Sequence, residues 1–168
     1  MKKLLALILS LLSLTLVLPQ TACSIIDMIE APPELKEGER YFEGEADFEY
    51  AESCTVSFVL SADGKSIHSA KVTMINVSFE KPYEGRTISY SAGRATFSNV
   101  GTKELDEYGY VEIESRQIVL RFTIDEGSAY GEVEYTHKSK VNEKAANRFS
   151  VLVGTFPFVA EDKTDVTP

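Results

Sequence analysis

The chain has 168 residues, with 17 basic and 26 acidic side chains and a formal net charge of −9. This acidity argues against nucleic acid and anionic lipid headgroups as binding partners, because both carry negative charge. The only cysteines and histidines are Cys23, Cys54, His68 and His137, and their spacing matches no zinc motif, so we expect no metal cofactor and no disulfide framework.

The first predicted element is an apolar segment at the amino terminus. Lys2 and Lys3 precede an uncharged run from Leu4 to Leu18. The run covers about fifteen residues, fewer than the ~20 that a membrane-spanning helix needs, and a basic start followed by such a run is typical of a secretory signal peptide. We therefore predict a signal peptide over residues 1–22. Its removal leaves 15 basic and 26 acidic residues, a formal charge of −11.

The apolar run is followed by Thr21-Ala22-Cys23, which resembles the end of a bacterial lipobox. The resemblance implies that Cys23 is acylated on its sulfur and anchors the protein to the membrane on the extracytoplasmic side. Gln20 stands where the lipobox prefers Leu or a similar apolar residue. Cleavage after Ser24 is the alternative, because Ala22-Cys23-Ser24 also satisfies a small-x-small rule, and it would release a secreted protein.

Residues 23–40 are predicted to form a tether. Pro32 and Pro33 favour extended polyproline geometry and exclude a helix through this point. Leu35 is the one large apolar residue between the prolines and Arg40. The stretch from Leu35 to Arg40 therefore has little to bury and is expected to be solvated, whereas Ile25, Ile26, Met28 and Ile29 could lie at the membrane interface or dock on the domain.

The domain itself is predicted over residues 41–160, where apolar residues recur at every second position. This alternation is typical of β-strands with one buried face. Asp63-Gly64 and residues 125–128 carry turn residues, and each predicts a hairpin. The predicted inward positions are Phe42, Gly44, Ala46, Phe48, Tyr50, Cys54, Val56, Phe58, Leu60, Ala70, Val72, Met74, Ile88, Tyr90, Val111, Ile113, Ile118, Leu120, Phe122, Ile124, Phe149, Val151 and Val153.

Other segments of this region give weaker patterns. Pro82 and Gly85 predict a loop over residues 81–85, residues 95–97 a short strand, and residues 101–107 a polar connection. Helix formers favour a short helix within residues 141–148. Residues 161–168 are predicted to be a disordered polar tail.

About seven to nine short strands with regular turns predict an all-β fold, either an antiparallel β-sandwich or a partly open barrel. Two strand–turn–strand segments, Ser57–Ile67 and Phe122–Glu134, resemble hairpins of small β-sandwich modules found in bacterial surface proteins. That resemblance implies a fold and carries no activity with it.

The main candidate site is an acidic row, Glu43, Glu45, Asp47 and Glu49, on the polar face of the first strand. Alternate side chains on a strand stand about 6.6–6.8 Å apart, so one row cannot supply the six to eight oxygens, at about 2.3–2.6 Å, that calcium takes. The row predicts either a weak cation or basic-partner site or a solvated edge that prevents pairing with other chains.

The strand beside the row decides between these alternatives. Glu112 with Glu114, or Glu132 with Glu134, would complete a cation site. Because like charges directly opposite destabilise a sheet, we expect a cation there instead. The candidates for that cation are Arg116, Arg121 and Lys138.

Three further features complete the prediction. Cys54 shares the apolar face of its strand, so we expect a buried, inert thiol, and we expect both histidines at the surface. Tyr108 and Tyr110 share the parity of neighbouring carboxylates, which predicts exposed tyrosines and an alternative role as a sugar-stacking platform. No nucleophile–base arrangement or apolar pocket around a carboxylate pair is indicated, so we expect no enzyme.

The sequence therefore predicts a lipid-anchored, non-enzymatic display or binding module on the extracytoplasmic side. Its expected partners are the membrane, through the acyl anchor on Cys23, and a protein or glycan. The alternative is a carrier or chaperone of a small apolar ligand inside an open β-barrel, and an unfilled interior would favour it.

Overall fold

A computed structural model describes residues 33–99, 101–140 and 148–165, and within these ranges every regular element is a β-strand. No helix long and apolar enough to cross a membrane occurs in those ranges. The strands are β1 Arg40–Ala46, β2 Ser53–Leu60, β3 Ser66–Tyr83, β4 Arg86–Asn99, β5 Lys103–Glu104, β6 Tyr110–Glu114, β7 Ile118–Asp125, β8 Ser128–Lys140 and β9 Arg148–Asp162.

All nine strands belong to one antiparallel sheet with the order β4-β3-β2-β1-β9-β8-β7-β6, and β5 pairs with the start of β3. Two meanders, β1–β4 and β6–β9, are joined because β1 pairs with β9 from Phe42↔Asp162 to Ala46↔Phe158. The sheet curls into a half-barrel. The all-β prediction is confirmed, and the curled sheet is the partly open barrel of the two architectures considered.

The concave face of the sheet carries the core, as the alternation predicts. Cys54, Val56 and Phe58 on β2 are buried, and so are Leu120 and Phe122 on β7. The Phe58 ring stacks on Phe42 at 5.0 Å and on Phe122 at 4.5 Å between ring centroids. Each such ring contributes about 1.5–3 kcal/mol by leaving water, so these side chains hold the curled strands together.

Two glycines allow strands of this sheet to approach closely. A Cβ on Gly44 would lie 1.8 Å from the carbonyl oxygen of Val159, and one on Gly131 would lie 2.0 Å from that of Arg121. Glycine within a strand commonly marks such a bend or close backbone approach. The missing side chains at these two inward positions therefore permit the curl.

The β3–β4 hairpin is longer than predicted. The expected loop at residues 81–85 is reduced to a turn at Glu84 and Gly85, whose φ angles of 46° and 75° are left-handed. Pro82 is tolerated because it lies beside this turn, where few ladder hydrogen bonds remain to be lost. Residues 95–97 are part of β4.

The carboxyl end of the sheet extends past the predicted domain boundary at residue 160. β9 runs to Asp162, where the carboxylate accepts a 2.6 Å hydrogen bond from Arg40 Nε, and Lys163 N donates to the carbonyl of Tyr41 at 2.7 Å. The predicted tail is thus ordered through Thr164, whose Oγ1 accepts from Tyr41 N. Several predicted features lie outside the described residues: the signal peptide, Cys23, most of the tether, and residues 141–147 of the predicted helix.

Candidate functional site

The acidic row does not stay on one strand. Glu43 and Glu45 stand on the convex face of β1, whereas Asp47 and Glu49 lie in the connection to β2, because β1 ends at Ala46. The convex face is the outer face of the half-barrel. Asp47 and Glu49 are exposed, and Tyr41 donates a 2.5 Å hydrogen bond from its hydroxyl to Glu43.

None of the side chains expected beside the row is there. The neighbours of β1 are β2 and β9, so Glu43 is flanked by Ser57 and Glu161, and Glu45 by Thr55 and Val159. Within the described ranges, no three His, Cys, Asp or Glu side chains come together as metal ligands. Lys163, which was not expected here, lies 2.7 Å from Glu161. Its hydrogen bond lowers the pKa of Glu161.

Arg121 of β7 is instead surrounded by the other carboxylates. Glu112 and Glu132 stand directly opposite it on β6 and β8. Arg121 Nε donates to Glu112 at 2.8 Å, and Nη1 donates to Glu134 at 3.1 Å and to Glu132 at 3.3 Å. These hydrogen bonds, first that to Glu112 and then that to Glu134, raise the pKa of the guanidinium. The cation expected opposite the carboxylates of a neighbouring strand is therefore found on β7, between β6 and β8, and not beside β1.

Exposed apolar side chains lie next to this network. Tyr108 and Tyr110 are exposed, as predicted, and so are Tyr130 and Val159, which the prediction missed. The sequence held a signal for Tyr130, since it has the same parity as the outward-facing Glu132 and Glu134. In the sheet Tyr110 pairs with Thr123, Thr123 with Tyr130, and Tyr130 with Val159. We call this row of Tyr110, Thr123, Tyr130 and Val159 the tyrosine stripe.

A shallow groove of about 380 Å³ runs along the stripe between Tyr110 and Tyr130. Thr123 and the backbone of Gly131 form its floor, and Arg121 and Glu132 line one side. Tyr110 and Tyr130 stand on strands separated by β7, so their Cα atoms are about 9.4–9.8 Å apart. The groove thus offers two aromatic faces and a hydrogen-bonding wall to a ligand that approaches from solvent.

The concave side of the half-barrel is filled. At the seam where β3 and β4 face β6 and β7, a cavity of about 20 Å³ remains, lined in part by Val72, Phe97 and Ile113. Small-molecule pockets usually enclose about 300–1,000 Å³, and 20 Å³ is room for little more than one water molecule. The cavity at this seam therefore offers no space for an apolar cargo.

His137 is buried, and the prediction that it lies at the surface is wrong. The residue is 8% exposed, its ring centroid lies 4.4 Å from that of Tyr90, and its Nδ1 lies 3.1 Å from the Tyr135 hydroxyl. His137 faces inward because the alternation that buries Val133 and Tyr135 continues along β8, and Phe79 and Tyr90 of the β3–β4 hairpin pack on its ring. Burial lowers the pKa of His137 and raises that of Tyr135.

Cys54 and His68 are the remaining candidates for reactive side chains. Cys54 is buried, as predicted, and burial raises the pKa of its thiol to about 12. His68 is partly exposed and lies 3.1 Å from Glu39. A thiol with such a pKa is protonated at neutral pH and therefore a poor nucleophile.

Comparison of the chain with protein-family models, with curated protein sequences and with solved structures finds no match. The fold and the surface of the protein are therefore the basis for describing what kind of protein it is. The fold is an open antiparallel β-barrel with a filled interior. The assembled surface feature is the tyrosine stripe with its acidic borders, and the function is best argued from that feature.

Proposed function

We propose that the protein is a lipid-anchored binding module on the extracytoplasmic side of the membrane, without catalytic activity. The observation that carries the proposal is the division of the barrel into a filled concave side and an outer face with exposed tyrosines. The cavity of about 20 Å³ between β3–β4 and β6–β7 is far smaller than a usual ligand pocket, whereas the exposed tyrosines stand on the outer face. This supports the binding module over the carrier of an apolar ligand.

The anchor rests on the amino-terminal sequence. Processing before Cys23 would leave its acylated sulfur as the attachment point. Each buried methylene contributes about 0.8 kcal/mol, so several acyl chains together hold a protein firmly to a bilayer. The turn from Lys36 to Glu39 belongs to the folded domain, so the residues between Cys23 and Lys36 would span about 45 Å when fully extended, which lets the domain reach partners beyond the membrane surface.

Intact-mass spectrometry of the full chain, expressed in a bacterial host and purified in detergent, tests both parts of the proposal. Under denaturing conditions the wild-type chain should carry the mass of covalently bound lipid and lack residues 1–22. Cys23→Ala should lack the lipid. Cys54→Ala is the matched control and should keep it, because Cys54 is buried in the barrel. Under native conditions, we expect no further bound molecule.

Two outcomes would contradict the proposal. A chain that begins after Ser24 and carries no lipid would show that the protein is secreted instead of anchored. An apolar molecule that stays bound under gentle ionisation and is lost on denaturation would favour the carrier, and its mass would identify the cargo. Neither result depends on knowing the partner.

A further inference from the structure

The exposed apolar side chains of the described residues are concentrated in the tyrosine stripe. Of the five large hydrophobic side chains that are exposed, Tyr110, Tyr130 and Val159 belong to it, at 38%, 54% and 48% exposure. The stripe crosses four adjacent strands, a distance of about 14 Å at the usual strand spacing. Exposed apolar side chains grouped in one row and bordered by polar groups commonly mark an interaction site.

One border of the stripe is the Arg121 network. Three carboxylates, those of Glu112, Glu132 and Glu134, surround this one guanidinium at 2.8–3.3 Å. With three carboxylates to one guanidinium, the border keeps an excess of formal negative charge after Arg121 has been balanced. Its carboxylates also remain partly exposed, and their free lone pairs can accept further hydrogen bonds.

The opposite border has the same sign. Asp125, Ser128, Glu161 and Glu43 follow one another across β7, β8, β9 and β1, one row from the stripe. Lys163 forms an ion pair with Glu161 at 2.7 Å. The two borders together hold six carboxylates around two cations, so an apolar and aromatic stripe lies between two acidic margins.

We propose that the tyrosine stripe binds a basic polypeptide segment, in which lysine or arginine side chains flank apolar ones. The apolar side chains would cover Val159 and enter the groove between Tyr110 and Tyr130. The cationic groups would reach the carboxylates of both borders or lie over the tyrosine rings, which attract cations through their quadrupole. This inference rests on the proposed function and names the chemistry of its partner.

Charge complementarity favours this occupant over a saccharide. A neutral sugar would stack on the tyrosines but would leave the excess negative charge of both borders uncompensated. An anionic polymer would be repelled by the same borders and by the overall charge of the chain. Tyrosine is also among the residues that carry most of the binding energy in protein interfaces.

Fluorescence anisotropy with the full chain in neutral-detergent micelles tests the proposal. The probe is a dye-labelled peptide in which lysine alternates with leucine. A peptide in which glutamate alternates with leucine, and micelles without protein, are the controls. We expect the lysine peptide to bind in low salt and to bind more weakly at about 0.5 M salt, where the screening length is only a few ångströms.

Variants locate the binding. Tyr130→Ala should weaken the lysine peptide about tenfold or more, and Val159→Lys should weaken it while strengthening the glutamate peptide. Leu152→Ala is the matched control: Leu152 is exposed on the same strand as Val159 but outside the stripe, and its loss should change nothing. Circular dichroism checks that each variant is folded. If Tyr130→Ala does not fold, Val159→Lys alone tests the inference.

Equal binding of both peptides, or lysine-peptide affinity unchanged in the folded stripe variants, would overturn the inference. So would a glycan array in which a saccharide binds through Tyr130 while the lysine peptide does not bind. An acylated chain that binds no basic peptide would overturn this inference and leave the anchor standing. A chain that carries no lipid but binds the basic peptide would contradict the anchor and support this inference.

Discussion

Two regions of the barrel interior obey the same alternation but are built from different side chains. The barrel body, centred on Phe42, Phe58 and Phe122, is a stack of phenyl rings that are at most 1% exposed. The hairpin end, where Phe79, Tyr83 and Tyr90 of the β3–β4 hairpin pack against β8 and β9, holds aromatic rings that carry polar atoms. These include Tyr90, Tyr135 and His137, with Phe79 and Phe149 packed around them.

The difference teaches where this protein is rigid and where it responds to conditions. The barrel body is built from apolar rings, and their packing sets its stability. At the hairpin end a buried histidine links stability to pH, because its charged form is disfavoured away from water. The two regions should therefore respond to different perturbations, and the following experiments separate them.

The largest effect is expected from Gly44→Ala in the barrel body. The new Cβ would lie 1.8 Å from the carbonyl oxygen of Val159, a backbone atom, so β1 and β9 would have to separate. We expect the free energy of unfolding in urea to fall by about 4 kcal/mol or more, enough to unfold a marginally stable domain. Gly93→Ala on β4, where a Cβ meets nothing within 4 Å, is the control and should be neutral or slightly stabilising.

A smaller difference should separate the two regions by cavity formation. Phe58→Ala removes a fully buried ring and should lower the free energy of unfolding by about 3–5 kcal/mol. Tyr83→Ala at the hairpin end removes a half-buried ring that packs at 5.8 Å on Phe149, and should cost about 1 kcal/mol. Urea titration measures both. Equal losses would mean that the hairpin end is packed as tightly as the body.

The smallest effect concerns His137 and pH. Its pKa is lowered in the folded protein, so the unfolded chain binds the proton more readily. This contribution to stability is therefore complete above the unfolded pKa of about 6.5 and is lost progressively as pH falls below it. We expect His137→Phe to reduce the loss between about pH 7.5 and 5.5 by about 1 kcal/mol.

His68→Gln provides the comparison for this experiment, since His68 lies outside the buried cluster. Thermal or urea unfolding across the pH range should show the wild-type slope in His68→Gln and a flatter one in His137→Phe. A wild-type slope in both variants would mean that the hairpin end does not sense pH through His137. A flat slope in His68→Gln alone would assign the effect to the pair that His68 forms with Glu39.

Local rules were sufficient for the barrel body. The inward sets on β2 and β7 follow from a period of two, because one face of each strand meets the core. The turn at Asp63 and Gly64 follows from the left-handed conformation that glycine adopts at no steric cost, with a φ of 69° at Gly64. Tyr108 and Tyr110 were assigned to the solvent face by the same parity.

The candidate site required register, which local rules do not contain. Arg121 meets Glu112 and Glu132 because β6, β7 and β8 pair in one particular alignment. The acidic row lost its expected neighbours because β1 pairs with β9, a strand more than a hundred residues away along the chain. His137 was assigned to the surface because its neighbours in sequence are polar, whereas the opposing hairpin buries it.

By itself, the sequence determined the all-β class, most inward faces and the tight turns, since these depend on side-chain alternation and on backbone conformation over a few residues. Only the tertiary structure decided which strands are neighbours, that the concave side is filled, and that Tyr110, Tyr130 and Val159 form one stripe between acidic margins. The physical reason is that pairing between distant strands is chosen by the packing of the whole core, and a one-residue shift in register would turn every side chain to the other face.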